Sequence, residues 1–305
     1  MSRATRRLLF VGQAVLDQVF CVERLSAEAG KGQASDHRAQ AGGLATNAAR
    51  AAQRLRDPSN KLSVRLASAV GDDAAGLLLQ QDLGDEGIDL GALACVAGAR
   101  TSVSAVLVDS LGERQIHNFR GDALVRAPVP EAASFDGVVG VLVDPRWPAA
   151  AMAALAHARA AHIVSVLDAE VAPREVLRTL VPLADWCVFS RAGLSAWGGD
   201  ADLPAAEALA LAARATSGVE LVVTLGADGA QWHRPDGTCH VLPAFRVPVV
   251  DTNGAGDVMH GALLLSLAEG RPPAAALRRA MAAAALACSG QCPDRAELDR
   301  FMETV

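Results

Sequence analysis

The run Val249-Val-Asp-Thr-Asn-Gly-Ala-Gly-Asp-Val-Met-His-Gly-Ala262 holds the residues of this chain best suited to chemistry. An apolar strand ends at Val250, and Asn253-Gly254-Ala255-Gly256 then leads into a helix. Small residues there let the backbone approach a ligand closely. The amides that open a helix have no partner within it, and the helix dipole favours an anion in front of them. Asp257 falls in the first turn. An anion hole beside a carboxylate suits transfer of a phosphoryl group to a hydroxyl, because the amides stabilise the charge and the carboxylate takes the proton. Spacing alone leaves a second reading equally open, a glycine-rich loop whose aspartate caps its helix. No Gly-x-x-x-x-Gly-Lys-Ser/Thr run occurs, so this is not a P-loop.

Such a loop has to be presented by a scaffold, and the rest of the chain shows which. Apolar runs at 8–11, 65–69, 138–143, 163–167, 186–189 and 221–225 are short, continuous and rich in Val, Ile and Leu. Strands buried on both faces read this way. Alanine-rich helical stretches lie between them at 45–55, 74–86, 149–160, 174–180 and 205–216, and 254–267 and 273–289 read as two consecutive helices. The alternation predicts an α/β fold with a mostly parallel central sheet. Segments 18–40 and 101–119 lack a helical period. The second alternates around Leu111-Gly112-Glu113 as a hairpin, and the two together are expected to form a small sheet standing off the main domain.

Composition agrees. A chain of 305 residues that is 51% hydrophobic is neither disordered nor a small disulfide scaffold. Only 4% is aromatic and tyrosine is absent, so alanine-rich helices packing closely on aliphatic strands must supply the core. The net charge of −6 argues against a nucleic-acid partner. Of six cysteines only Cys288 and Cys292 are close, with no histidine nearby, which reads as free thiols rather than a zinc site. The apolar run after Arg7 is broken by Gly12, Gln13 and Asp17 without a cleavage site, and no membrane span is expected. The expected location is cytoplasmic.

Asp251-Thr-Asn-Gly-Ala-Gly-Asp257 closely resembles the C-terminal signature of the ribokinase-like (PfkB) carbohydrate kinases. Ala41-Gly-Gly-Leu-Ala-Thr-Asn47 looks like the Gly-Gly element of that family, and Gly12 to Asp17 like its strand-end glycine and sugar-binding aspartate. Gly71-Asp-Asp73-Ala-Ala-Gly76 and Thr224-Leu-Gly-Ala-Asp-Gly229 resemble the segment after the second core strand and the strand-turn that holds ATP. Order and spacing fit over essentially the whole chain. The resemblance implies one domain over 1–305, a three-layer α/β/α sandwich with a β lid from about 18–40 and 101–119. It implies transfer of the γ-phosphoryl group of ATP to a primary hydroxyl of a ketose-type sugar. Asp257 would be the base, with Gly254, Ala255 and Gly256 forming the anion hole. Thr224, Gly226 and Gly229 would lie along the nucleotide, with Ala284 and Cys288 near the adenine. Asp17, Gly43 and Asn47 would hold sugar hydroxyls. Mg2+ would accompany ATP, and Asp251 would sit near a monovalent-cation site, such as one for K+, if the protein has one. The lid would exclude water and supply a homodimer contact.

One departure concerns magnesium. The family's Asn-x-x-Glu is here Ser190-Arg-Ala-Gly193, which leaves water and phosphates to supply most ligands. Acceptor choice is expected from Lys31, Arg38, His117, Asn118, Arg120 and Arg146. Arg146 follows a core strand, where ligand loops gather. Converging cations suit an acceptor that already carries a sulfonate or phosphate, although each taken singly also reads as a solvated surface charge. Ala29-Gly-Lys31, Glu113–Phe119, Val143-Asp-Pro-Arg-Trp147, Leu167-Asp-Ala-Glu and Phe189-Ser190-x-x-Gly193 together look like the sulfofructose kinases of this family. That likeness implies 6-deoxy-6-sulfofructose as acceptor, giving its 1-phosphate, with Lys31, Asn118 and Arg146 on the sulfonate. Arg120 departs from it and would either clash or add a second contact.

Three further residues have two readings each. His260 is a packed helix histidine or approaches the site. Trp147 is core or walls the sugar pocket. Asp168 faces phosphate or magnesium, or caps a helix. Rival functions are a kinase for another ketose, sugar phosphate or nucleoside, and a ligand sensor on a dead kinase fold. The retained Asp257 speaks against the sensor, while Ser190 and Gly193 in place of the family's Asn and Glu speak mildly for it.

Overall fold

The computed structural model describes residues 6–25, 30–290 and 292–304. The chain runs β1 (Arg6–Val11), β2 (Val15–Cys21), β3 (Asp36–Gly42), α1 (Leu44–Leu55), β4 (Leu62–Gly71), α2 (Ala74–Asp85), β5 (Asp89–Val96), β6 (Val103–Val108) and β7 (Arg114–Phe119). It continues through β8 (Val138–Val143), α3 (Pro148–Ala160), β9 (Val164–Ala169), α4 (Arg174–Leu180), β10 (Trp186–Ser190), α5 (Arg191–Gly198), α6 (Ala205–Ala215) and β11 (Glu220–Thr224). The described chain finishes with β12 (Ala230–His233), β13 (Cys239–Leu242), α7 (Ala255–Ala268), α8 (Pro273–Cys288) and α9 (Arg295–Thr304).

Nine strands form one sheet in the order β13-β12-β11-β10-β9-β8-β1-β4-β5, parallel from β11 to β5, with β12 and β13 as an antiparallel edge. Helices cover both faces. Leu8 and Phe10 of β1 enter one core with α1, α7 and α8, whereas Leu9 and Val11 enter the other with α3, α4 and α6. Period-2 alternation between two buried faces is why this strand reads as continuously apolar. Helix α7 is buried from Asp257 through Ser266, so it has no polar face. It lies so close to α1 that a Cβ on Gly261 would stand 2.1 Å from the Ala48 carbonyl oxygen. Alanine on α1 and glycine on α7 bring the two helices, and the side chains at their ends, together.

The small sheet has the order β3-β2-β6-β7. Its first strand begins at Val15, earlier than expected, and residues 26–29 of the first lid segment, including Ala29, lie outside the described residues. The hairpin turn forms where expected, with Asp109 Oδ1 accepting the amides of Leu111 and Glu113 at 2.9 and 3.0 Å. Among the described residues, no helix is long and apolar enough to cross a membrane.

Candidate active site

The parallel strands end along one edge of the main sheet, and the small sheet stands over it. Between them lies a cavity of about 440 Å³. Register explains which lid residues face it. Gln40, Asp17, Ser104 and Asn118 are consecutive cross-strand partners, and so are Arg38, Val19, Val106 and Ile116. All eight line the cavity. His117 has the opposite parity and faces away, so the expectation that it helps select the acceptor is corrected by the pleat itself. Ser104 Oγ donates to Asn118 Oδ1 at 2.7 Å. Burial raises the Asp17 carboxyl pKa, with Ser104 and Arg50 opposing. Gly42 makes room for this aspartate, since a Cβ there would lie 2.0 Å from Asp17 Oδ2.

The body contributes Gln13, Gly43, Leu44 and Asn47, which enter from the loop after β1 and the start of α1. Helix α1 has no capping side chain of its own. Asp144, fully buried at the end of β8, supplies one, because its Oδ2 accepts the Ala45 amide at 3.1 Å while its Oδ1 accepts the Arg146 amide at 2.8 Å. Burial drives the Asp144 carboxyl up to about 7. Gly12 is required here: a Cβ would stand 1.9 Å from Asp144 Oδ2.

Asp257 lies at the inner end of the cavity, 8% exposed. Asn47 Nδ2 donates to its Oδ2 at 2.8 Å. Burial, then Asp168, pushes its carboxyl up to about 8, with Asn47 and His260 opposing. Gly254 adopts φ 71° before α7. Among the described residues, the amides of Gly256 and Asp257 have no backbone partner, and a Cβ on Gly256 would meet open space. Of the expected anion-hole residues, Gly254, Ala255 and Gly256 do not themselves line the cavity, and the Ala255 amide donates to the Thr252 carbonyl at 3.3 Å. This leaves the free amides of Gly256 and Asp257 at the helix start beside the buried carboxyl, an arrangement suited to phosphoryl transfer.

Four guanidinium groups line the cavity: Arg38, Arg114, Arg120 and Arg146. Arg114 forms an ion pair with Asp251, tying the lid to the loop before α7. Arg146 is held by the Val171 carbonyl at 2.7 Å, and neither it nor Arg120 makes a salt bridge among the described residues. Burial and the neighbouring Arg146 lower the Arg120 pKa. Two like charges side by side, with only the buried Asp144 carboxyl near them and no salt bridge to it, suit an anion.

The structure thus brings Asp17, Gly43, Asn47, Asn118, Arg146, Asp251 and Asp257 around one cavity. Lys31 is exposed and does not line it. Asp251, expected beside a monovalent cation, is instead engaged by Arg114 and by the Asn253 amide at 2.7 Å. Thr224, Gly226 and Gly229 lie beyond the cavity, at and after the end of β11, with both glycines at positive φ. Gly229 is constrained, since a Cβ there would meet the Leu242 carbonyl oxygen at 2.0 Å. Ala284 and Cys288 are on α8, whose Cys288 carbonyl accepts the amides of Val250 and Asp251. Trp147 is 2% exposed and belongs to the core. Asp168 is also 2% exposed and, among the described residues, caps no helix; it lies with Asp257 and His260.

Several site residues were not singled out from the sequence. Gln13, Ser104 and Arg114 are set by lid register and loop closure. Asp144 is set by a backbone approach whose trace in the sequence is Gly12. Glu170 Oε1 accepts the Ser190 hydroxyl at 3.1 Å, which places a carboxylate beside the strand end that lacks the Asn-x-x-Glu. Ser190 also caps α5 through the Gly193 amide at 2.9 Å.

A model of the pfkB family of carbohydrate kinases matches residues 5–294. An ATP-dependent ribose-1-phosphate kinase of Halopiger xanaduensis is 30% identical over 82% of this chain and 81% of its own. A protein of Agrobacterium tumefaciens, described provisionally as a ribokinase, superposes with TM-score 0.89 and 34% identity over 98% of both chains. Arabidopsis thaliana ribokinase, solved with ribose and ATP, superposes with TM-score 0.83 at 23% identity over 99% of both chains, a likeness of fold.

Proposed function

Because this chain belongs to the pfkB family of carbohydrate kinases, we propose that it transfers the γ-phosphoryl group of ATP to a hydroxyl of a sugar that already carries an anion. The fine reading is 6-deoxy-6-sulfofructose converted to its 1-phosphate. The observation that carries the anionic acceptor is the Arg120–Arg146 pair, two neighbouring cavity-lining guanidinium groups that make no salt bridge among the described residues and have the single buried Asp144 carboxyl near both.

In this reading Asp17, Asn47 and the Ser104–Asn118 pair orient the sugar hydroxyls. The acceptor hydroxyl faces Asp257, whose carboxylate removes its proton as the oxygen bonds to phosphorus and the bond to the β-phosphate oxygen breaks. The amides at the start of α7 stabilise the transferring group. Thr224, Gly226, Gly229, Ala284 and Cys288 remain the proposed nucleotide contacts. Magnesium, bound with ATP, would neutralise phosphate charge, with water and phosphate supplying most of its ligands. Glu170 is the side chain at the Ser190 strand end able to hold one of those waters. The outer lid face carries half-buried Phe20 and Leu107, which supports a homodimer through the lid, and the proposed location is cytoplasmic.

A sugar phosphate is the second acceptor class, favoured by the ribose-1-phosphate kinase relative. The test is ADP release with magnesium-ATP over neutral ketoses, sulfofructose, sugar phosphates and nucleosides. Turnover restricted to anionic acceptors is expected. Preference for a neutral sugar removes the arginine argument, and no turnover on any acceptor leaves the dead-fold reading standing.

A further inference from the structure

Behind the proposed base lies a second, fully internal group of charges. Asp168, at the C-terminal end of β9, and His260, one turn after Asp257 on α7, each offer an atom within 4.8 Å of the others and of the Asp257 carboxylate. All three are buried. Spacing of three residues puts Asp257 and His260 on one face of α7. His260 Nδ1 stands 3.3 Å from Asp168 Oδ2, and neither ring nitrogen has a well-aligned hydrogen-bond partner. Asp168 Oδ2 likewise has none.

Two carboxylates this close in a dry interior cannot both ionise unless a positive charge stands with them. The groups facing the cluster are few. Asp144 approaches from the end of β8 and adds negative charge. From α1 comes only the neutral Asn47 amide. From β10 come the Val188 backbone and the Cys187 thiol, which burial pushes far up and keeps neutral. No lysine or arginine pairs with Asp168 or Asp257 among the described residues. The imidazole is the one group in the cluster able to carry a positive charge.

We propose that His260 is a positioning residue which, as an imidazolium held by Asp168, lowers the pH at which Asp257 becomes available as the base. Burial works against the imidazolium, but Asp168 and then Asp257 outweigh it and raise the His260 pKa. The ring touches neither acceptor nor nucleotide in this reading. It offsets Asp168, whose charge otherwise drives a proton onto Asp257. Part of this inference rests on the kinase reading, namely the consequence for turnover. The charge state of His260 does not.

Two measurements test it. In the first, kcat against pH is compared for the unaltered protein, His260→Asn, Asp168→Asn and the double variant, with whichever acceptor turns over. His260→Asn should move the acid limb up by at least about one unit, costing roughly tenfold in kcat at pH 7, while the sugar KM stays within about threefold. The double variant should return toward the unaltered profile, because removing Asp168 removes the need for the cation. An unmoved acid limb, or no rescue, overturns the proposal. In the second, the imidazole carbon resonances of the unaltered protein are followed with pH by NMR, the His260 signal being identified by its loss in His260→Asn or His260→Gln. An imidazolium persisting above pH 7 and lost in Asp168→Asn is expected. A neutral His260 at pH 6 refutes the proposal whether or not any sugar is phosphorylated.

Discussion

Asp257 carries opposite demands. Its burial beside Asp168 raises its carboxyl to about 8, far above the ordinary carboxylate value, so the folded state holds a proton there that the unfolded chain releases near pH 4. Between those values the native state binds more protons than the unfolded one, and stability from this group falls as pH rises. Asp257→Asn is therefore expected to raise the melting temperature more at pH 8.5 than at pH 5, while abolishing ADP release and leaving sugar affinity largely intact. Equal shifts at both pH values would mean that the carboxyl is not raised, and near-normal turnover would mean that the base is misassigned. Arg146 and Arg120 give a second prediction at this scale. Arg146→Ala should lower kcat/KM about 100-fold for an anionic acceptor, the size of a lost charge-assisted contact of about 3 kcal/mol, and only a few-fold for a neutral one. Equal losses on both acceptors would remove the anion site.

At the scale of elements, the close approach of α7 to α1 makes Gly261 a test of the scaffold. Gly261→Ala forces a methyl group against the Ala48 carbonyl, at an expected cost of about 1–3 kcal/mol. Because α7 carries Asp257 and α1 carries Asn47, activity should fall further than stability alone explains. An unchanged urea midpoint would show that the helices part freely. Elements were legible in the sequence where apolar spacing follows burial. The strand at 138–143 and the helix at 174–180 match β8 and α4 to the residue, because β8 is one continuous aliphatic run and α4 sets Leu177 and Leu180 three apart toward the core. Edges were not legible. Half-exposed β5 contains Gly91, four-residue β12 and β13 carry too short a pattern, α5 is brief and α9 is polar. The site divides in the same way. Asn47 and Asp257 stand in local motifs, whereas Ser104, Arg114 and Asp144 act through register and tertiary approach, which leave no mark in local spacing.

The whole molecule is a layered body with a lid tied down by Arg114 and Asp251. Arg114→Ala should loosen that closure, raising the acceptor KM several-fold and quickening hydrogen exchange in β6 and β7, while the melting temperature moves little because the pair is partly exposed. Exchange rates identical to those of the unaltered protein would mean that the lid is held by the rest of its sheet. The lid strands also have two faces with separate uses. Positions 114, 116 and 118 of β7 look into the cavity, whereas 115 and 117 look outward, toward the proposed partner copy. Neighbouring positions along a single strand therefore belong to different surfaces, one meeting whatever is phosphorylated and one forming the outer face of the lid. Alternate positions can be altered to reshape the cavity wall while the outer face is left as it is, and an insertion of one residue exchanges the two faces at a stroke.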